Sequence, residues 1–147
     1  MALFRVTARI DAPVARVWDV LRDWEGSAAW MVDATTVDVL TPEREGIGTR
    51  VLAVTRIAGV PLTDEMVVTR WEPQRLIEVR HMRAPIKGIA WFAIEPDGRA
   101  TVFEWGEELD PPLGPLGEMG GTILRRSIER VLRRSAAKLK AVAEAGV

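Results

Sequence analysis

At 147 residues the chain is long enough for one substantial hydrophobic core and too short for two comfortable ones. With 48 % hydrophobic and 28 % charged residues it has the makeup of a globular protein, not a disordered one. A net charge of −1 gives no general pull toward nucleic acid or an anionic membrane, and the lack of cysteine excludes disulfides, thiolate nucleophiles and cysteine-held metal centres.

The opening Met1-Ala2-Leu3-Phe4-Arg5 lacks the basic segment and apolar run of a signal peptide. No stretch approaches the ~18 uninterrupted apolar residues of a membrane span. The expectation is a cytoplasmic protein with no integral membrane segment, folded as a single domain over 1–147. Residues 3–10 alternate, with Phe4, Val6, Ala8 and Ile10 against Arg5, Thr7 and Arg9, which predicts a half-buried strand. Asp11-Ala12-Pro13 reads as a helix start with proline in the first turn. Val14, Val17, Trp18 and Leu21 then follow at helical spacing as one apolar stripe. Gly26 interrupts, and Ala28-Ala29-Trp30-Met31 predicts a second short helix.

From about Val32 the period changes to two, with strands predicted over 35–40, 49–57, 62–71, 75–82, 88–95 and 100–109. The breaks carry turn residues, among them Ala58-Gly59-Val60-Pro61, Glu72-Pro73-Gln74 and Pro96-Asp97-Gly98. Breaks this short permit only hairpins, so the sheet is expected to be antiparallel. After the proline-rich 111–115, a long helix is predicted from 116 to 144, with Met119, Ile123, Ile128, Val131, Leu132, Leu139 and Val142 on its apolar face. One-sided antiparallel sheets need a cover. The fold class expected is α+β: a curved antiparallel sheet of about seven strands wrapped around a long C-terminal helix, with two short helices after the first strand.

Several stretches carry a resemblance. Residues 10–24, Ile-Asp-Ala-Pro-Val-Ala-Arg-Val-Trp-Asp-Val-Leu-Arg-Asp-Trp, resemble the start of the polyketide cyclase/START/Bet v 1-like (SRPBCC) superfamily. Gly46-Ile47-Gly48-Thr49, Trp71-Glu72-Pro73, Asp97-Gly98 and the closing Lys138-Leu139-Lys140 are similar to it as well. The resemblance spans essentially the whole chain and implies the helix-grip fold and an internal cavity. Members of that superfamily bind sterols, lipids, hormones and polyketides, and a minority catalyse cyclisation or hydrolysis. No catalytic motif runs through it, so it implies a cavity here and no active site.

Hairpin counting assigns the cavity face. With Asp97 and Gly98 as central turn residues, Ile94 pairs with Thr101, Phe92 with Phe103 and Ala90 with Trp105. Apolar weight places Phe92, Ile94, Thr101, Phe103 and Trp105 inside. Counting across Glu72–Arg75 pairs Arg70 with Ile77, Val68 with Val79 and Met66 with His81, so that Met66, Val68, Val79 and His81 point inward. A hairpin through Gly59-Val60 adds Val51, Ala53 and Thr55, with Thr55 near Asp64. Met119, Gly120 and Ile123 are the expected helix side of the cavity. Six tryptophans without a tyrosine suit the walls of an apolar space, though plain core filling is the simpler reading. The space itself is expected to reach roughly 300 Å3 or more.

Candidate chemistry is sparse. His81, the one histidine, suits proton transfer or polar anchoring. Set beside Met66 and Val79 it is expected to be neutral, because burial disfavours the charged form. The alternative is a strand histidine satisfied by a neighbour. No serine lies in a nucleophile-elbow context, and one histidine without converging carboxylates gives no metal centre, so no metal and no cofactor are expected. Asp64 and Arg70 share the inward register near strand ends, as rim residues or as anchors for a ligand's polar group. Gly120-Gly121, at a helical cost of roughly 1–2 kcal/mol relative to alanine, would leave room for a ligand, unless the helix starts only at Thr122. Seven basic residues from 122 onward stand against two acidic ones, but they interleave with the apolar stripe and lack stacking aromatics. A solvated face, and no nucleic-acid partner, is expected. Trp91 and Glu104 are placed together on the outer face, where an apolar patch would suit a homodimer.

Three functions fit. The first is binding of a hydrophobic or aromatic small molecule between sheet and helix. The second is an aromatase/cyclase-type enzyme using the same cavity. The third is a protein-interaction module, which requires a filled core.

Overall fold

The computed structural model describes residues 2–57, 59–83, 86–110 and 121–146. In chain order these form β1 (Ala2–Ile10), α1 (Val14–Arg22), a 3-10 turn (Glu25–Ala29), β2 (Ala34–Val39), β3 (Arg50–Ile57), β4 (Val60–Glu72), β5 (Leu76–Arg83), β6 (Ile86–Asp97), β7 (Ala100–Leu109) and α2 (Gly121–Ala145). The seven strands make one antiparallel sheet in the order β1-β7-β6-β5-β4-β3-β2, so the α1 segment carries the chain from one edge to the other. This is the helix-grip arrangement expected, a curved sheet closed over by α2. Residues 116–120, Met119 and Gly120 among them, lie outside the described residues.

Alternation in the sequence becomes alternation in burial. Along β6 the residues Ile86, Gly88, Ala90, Phe92 and Ile94 are buried, while those between them are half-buried or exposed. On α2, Leu124, Ile128, Leu132, Ala136, Leu139 and Ala143 recur every three or four residues and are all buried, giving one stripe against the sheet. Pro13 does not enter α1; it precedes it in extended conformation, and its carbonyl accepts from the N–H groups of Arg16 and Val17. The Arg16 side chain crosses to α2 and donates to the carbonyls of Val142 and Ala143, satisfying acceptors that the helix end leaves free.

Three registers differ from the hairpin counts, the first at the β3–β4 turn, where Asp64 pairs with Ala53 and Thr55 with Leu62, an even shift of two that keeps every side chain on its face. At the β6–β7 turn, Ile94 pairs with Phe103 and Phe92 with Trp105, two residues from the expected alignment. Because the shift is even, every side chain keeps its face. In β4 the pairs Met66–His81 and Val68–Val79 stand as counted, but a bulge at Thr69 advances the strand by one residue. Trp71, not Arg70, therefore faces Ile77 and packs edge-on against Trp18 at 5.2 Å. Arg70 turns to solvent and pairs with Glu72.

Candidate functional site

Between the sheet and α2 lies a cavity of about 110 Å3. That is well short of the roughly 300 Å3 expected and closer to the ~150 Å3 engineered cavity that accepts benzene. The aromatic side chains explain the shortfall. Phe92 and Trp105 meet edge to face at 5.2 Å, Trp30 packs on both, and together they occupy much of the inner space. The core is nonetheless not filled, against the third reading.

Of the residues assigned to the cavity from sequence, Thr55, Met66, Val79, His81, Phe92 and Trp105 line it. Val68, Ile94, Thr101 and Phe103 are buried but belong to the packed core outside its lining. Thr101 is consumed by α1's approach: its hydroxyl donates to the Ala12 carbonyl at 2.8 Å. Ile94 and Phe103 pair with each other near the same end of the sheet, where β6 and β7 meet α1. Ile123 is a correction. It is 62 % exposed, because it sits one residue, or ~100° of helical turn, from the buried stripe that begins at Leu124. The helix side of the lining comes instead from Ile128, Val131, Leu132 and Ser135.

The polar part of the cavity was assembled by three strands. On β4, Asp64 lies two residues before Met66, the partner of His81 on β5. His81 Nδ1 lies 2.8 Å from Asp64 Oδ1. Glu107 comes from β7, two strands away, and its Oε2 reaches to 3.9 Å from His81 Nε2. What permits this is β6 between them. Opposite His81 stands Gly88 and opposite Glu107 stands Ala90, so nothing larger than a methyl group separates the two side chains. Gly88 adopts φ 127°, and a Cβ there would lie 1.9 Å from the Glu108 carbonyl oxygen. No other residue type fits that position without moving the backbone.

Glu107 escaped the sequence reading, although the alternation that puts Phe103 and Trp105 inside also puts position 107 there. Charge argued for the outer face and parity for the inner one. The Glu107 side chain is only 15 % exposed and accepts a hydrogen bond from Trp105 Nε1 at 3.3 Å. Burial pushes its carboxyl up, against the opposing charge of His81. The expectation of a neutral His81 is overturned by the same cluster. Burial alone would push the imidazole down, but the hydrogen bond and charge of Asp64, with the charge of Glu107, hold it at about 9. Among the described residues, two buried side-chain nitrogens have no hydrogen-bond partner: Trp30 Nε1, within the aromatic packing, and His81 Nε2, on the cavity wall. A proton can therefore reside on His81 or Glu107 and exchange with a molecule placed between them. No three His, Cys, Asp or Glu side chains among the described residues are arranged to hold a metal ion.

Outside the cavity, the Trp91 indole covers Gly106 and donates from Nε1 to Glu104 at 2.8 Å. Arg125, Arg126, Arg130, Arg133, Arg134 and Lys138 of α2 are exposed. No described helix is long and apolar enough to cross a membrane.

Comparison with known proteins agrees with this fold. The family profile described as "Polyketide cyclase / dehydrase and lipid transport" matches residues 1–144. No curated protein sequence matches the chain. Solved structures with the same fold include a protein from Thermus thermophilus, with TM-score 0.85, 16 % identity and 99 % of each chain covered. A START superfamily protein from Mycobacterium smegmatis has TM-score 0.80 at 16 % identity, again over 99 % of each chain. The Zhui aromatase/cyclase from a Streptomyces species has TM-score 0.79 at 20 % identity, over 97 % of this chain and 93 % of that one. At these identities the likeness concerns the fold.

Proposed function

The chain belongs to the polyketide cyclase / dehydrase and lipid transport family, and on that premise we propose that it binds a small hydrophobic or aromatic molecule between the sheet and α2. The carrying observation is a largely apolar wall that includes Phe92, Trp105, Met66, Val79 and Leu132 and is interrupted by the buried His81–Asp64 pair. Apolar walls supply affinity, and a few placed polar groups supply orientation. Residues 1–147 act as one domain in this reading, supported by the nearly full-length profile match. Native mass spectrometry of freshly purified protein, together with titration by toluene, tests it. A co-purified compound, or saturable binding of toluene that shifts the Val79 and Ile128 methyl resonances, is expected. Protein that travels bare and leaves those methyls unmoved overturns the reading.

The Asp64–His81–Glu107 cluster favours a second reading, an enzyme that moves a proton on its bound compound, as a polyketide cyclase would. The two separate on whether the compound is returned changed. In an enzyme, His81→Phe lowers turnover about 100-fold or more with binding nearly kept.

A further inference from the structure

Which polar group does the cavity accept? His81 Nε2 is buried on the cavity wall, without a hydrogen-bond partner among the described residues. Facing it at 3.9 Å is Glu107 Oε2, too far for a direct hydrogen bond. A single oxygen placed about 2.8 Å from each atom closes that gap. We propose that the ligand is a one-ring phenol or ring alcohol whose hydroxyl oxygen is seated between His81 Nε2 and Glu107 Oε2.

The argument holds for the pair sharing one proton, whichever of His81 Nε2 and Glu107 Oε2 carries it. With His81 charged and Glu107 ionised, the hydroxyl accepts from Nε2–H and donates to the carboxylate. With His81 neutral, its Nδ1–H kept on Asp64, the hydroxyl donates to Nε2 and accepts from the protonated Glu107. Either way the bridging group must both donate and accept, which a hydroxyl does and an ether or ketone does not. A carboxylate would place a third negative group beside Asp64 and Glu107, and an ammonium would face the charged imidazole. Glu107 is further held in place by the Trp105 indole, so the pair is fixed before the ligand arrives. The cavity volume, close to that known to take benzene, restricts the remainder to about one ring.

This inference rests on the binding reading above, and the test separates the two. Toluene, anisole, phenol and benzoate are titrated calorimetrically into the full-length protein. Phenol is expected to bind about tenfold tighter than toluene, anisole no tighter than toluene, and benzoate most weakly. Glu107→Leu should bring phenol to within about threefold of toluene while toluene affinity is retained; if that variant does not fold, the wild-type series decides alone. Phenol binding no tighter than toluene overturns the hydroxyl assignment and leaves the cavity reading standing. Failure of all four compounds to bind overturns both.

Discussion

At the scale of single residues, the cluster around His81 makes a definite pH prediction. Its folded value of about 9 lies above the ordinary 6.5, so the folded protein holds this proton more tightly than the unfolded chain does. The resulting stability is complete below pH 6.5 and is lost as pH rises through 9. At ~1.4 kcal/mol per unit it amounts to about 3 kcal/mol. Glu107, pushed up by burial, acts in the same direction: it too favours the folded state at lower pH. Urea midpoints should therefore fall between pH 6.5 and pH 9.5 in the wild type and fall much less in His81→Phe. A flat wild-type profile would mean that the imidazole is not charged. Because the chain has one histidine, its ring proton resonances are assigned without ambiguity. In Asp64→Asn that titration should move down by at least about one unit, since a hydrogen-bonded opposite charge has been removed. An unmoved titration would show that Asp64 is not its partner.

At the scale of elements, β6 is the strand on which the site depends. Gly88→Ala adds a Cβ where the Glu108 carbonyl already stands, at a φ that disfavours any side chain. It should destabilise the fold by at least about 2 kcal/mol, read from chemical denaturation; a change under 0.5 kcal/mol would mean that the strands part cheaply there. The β4–β5 turn offers the opposite case. Gln74 follows Pro73 with φ 61°, the position a type II turn reserves for glycine. Gln74→Gly should stabilise by up to about 1 kcal/mol, since the relief of strain exceeds the added freedom of the unfolded chain. These elements also show what the sequence could and could not disclose. Period-two alternation and turn residues located seven strands, because both are local. The β6–β7 faces survived a misplaced turn because the slip was even. The bulge at Thr69 left no local trace, and it exchanged Arg70 for Trp71. The charge on His81 was illegible for a different reason: its carboxylate neighbours come from β4 and β7, and only the folded sheet brings them near.

At the scale of the whole molecule, the cavity is a balance between core packing and room for a guest. Leu132 is both a core residue and part of the lining. Leu132→Ala should lower stability by about 2–5 kcal/mol and enlarge the cavity. It should then admit a two-ring compound such as naphthalene, which the wild type rejects; equal binding by both proteins would show that the wall yields on its own. Surface ion pairs, by contrast, are exposed and contribute little individually, as Arg9–Asp97 and Arg22–Glu45 illustrate. The sheet order also sets a timetable. Among the described residues β1 pairs only with β7, Ile10 against Thr101 and Ala2 against Leu109, so the strand earliest in the sheet's chain order waits for the latest. At ribosomal speeds of about 5–20 residues per second, that wait is roughly 5–20 seconds. Throughout it Phe4, Val6 and Ile10 have no strand to pair with, a hydrophobic sequence held open near the ribosome until the rest of the sheet arrives.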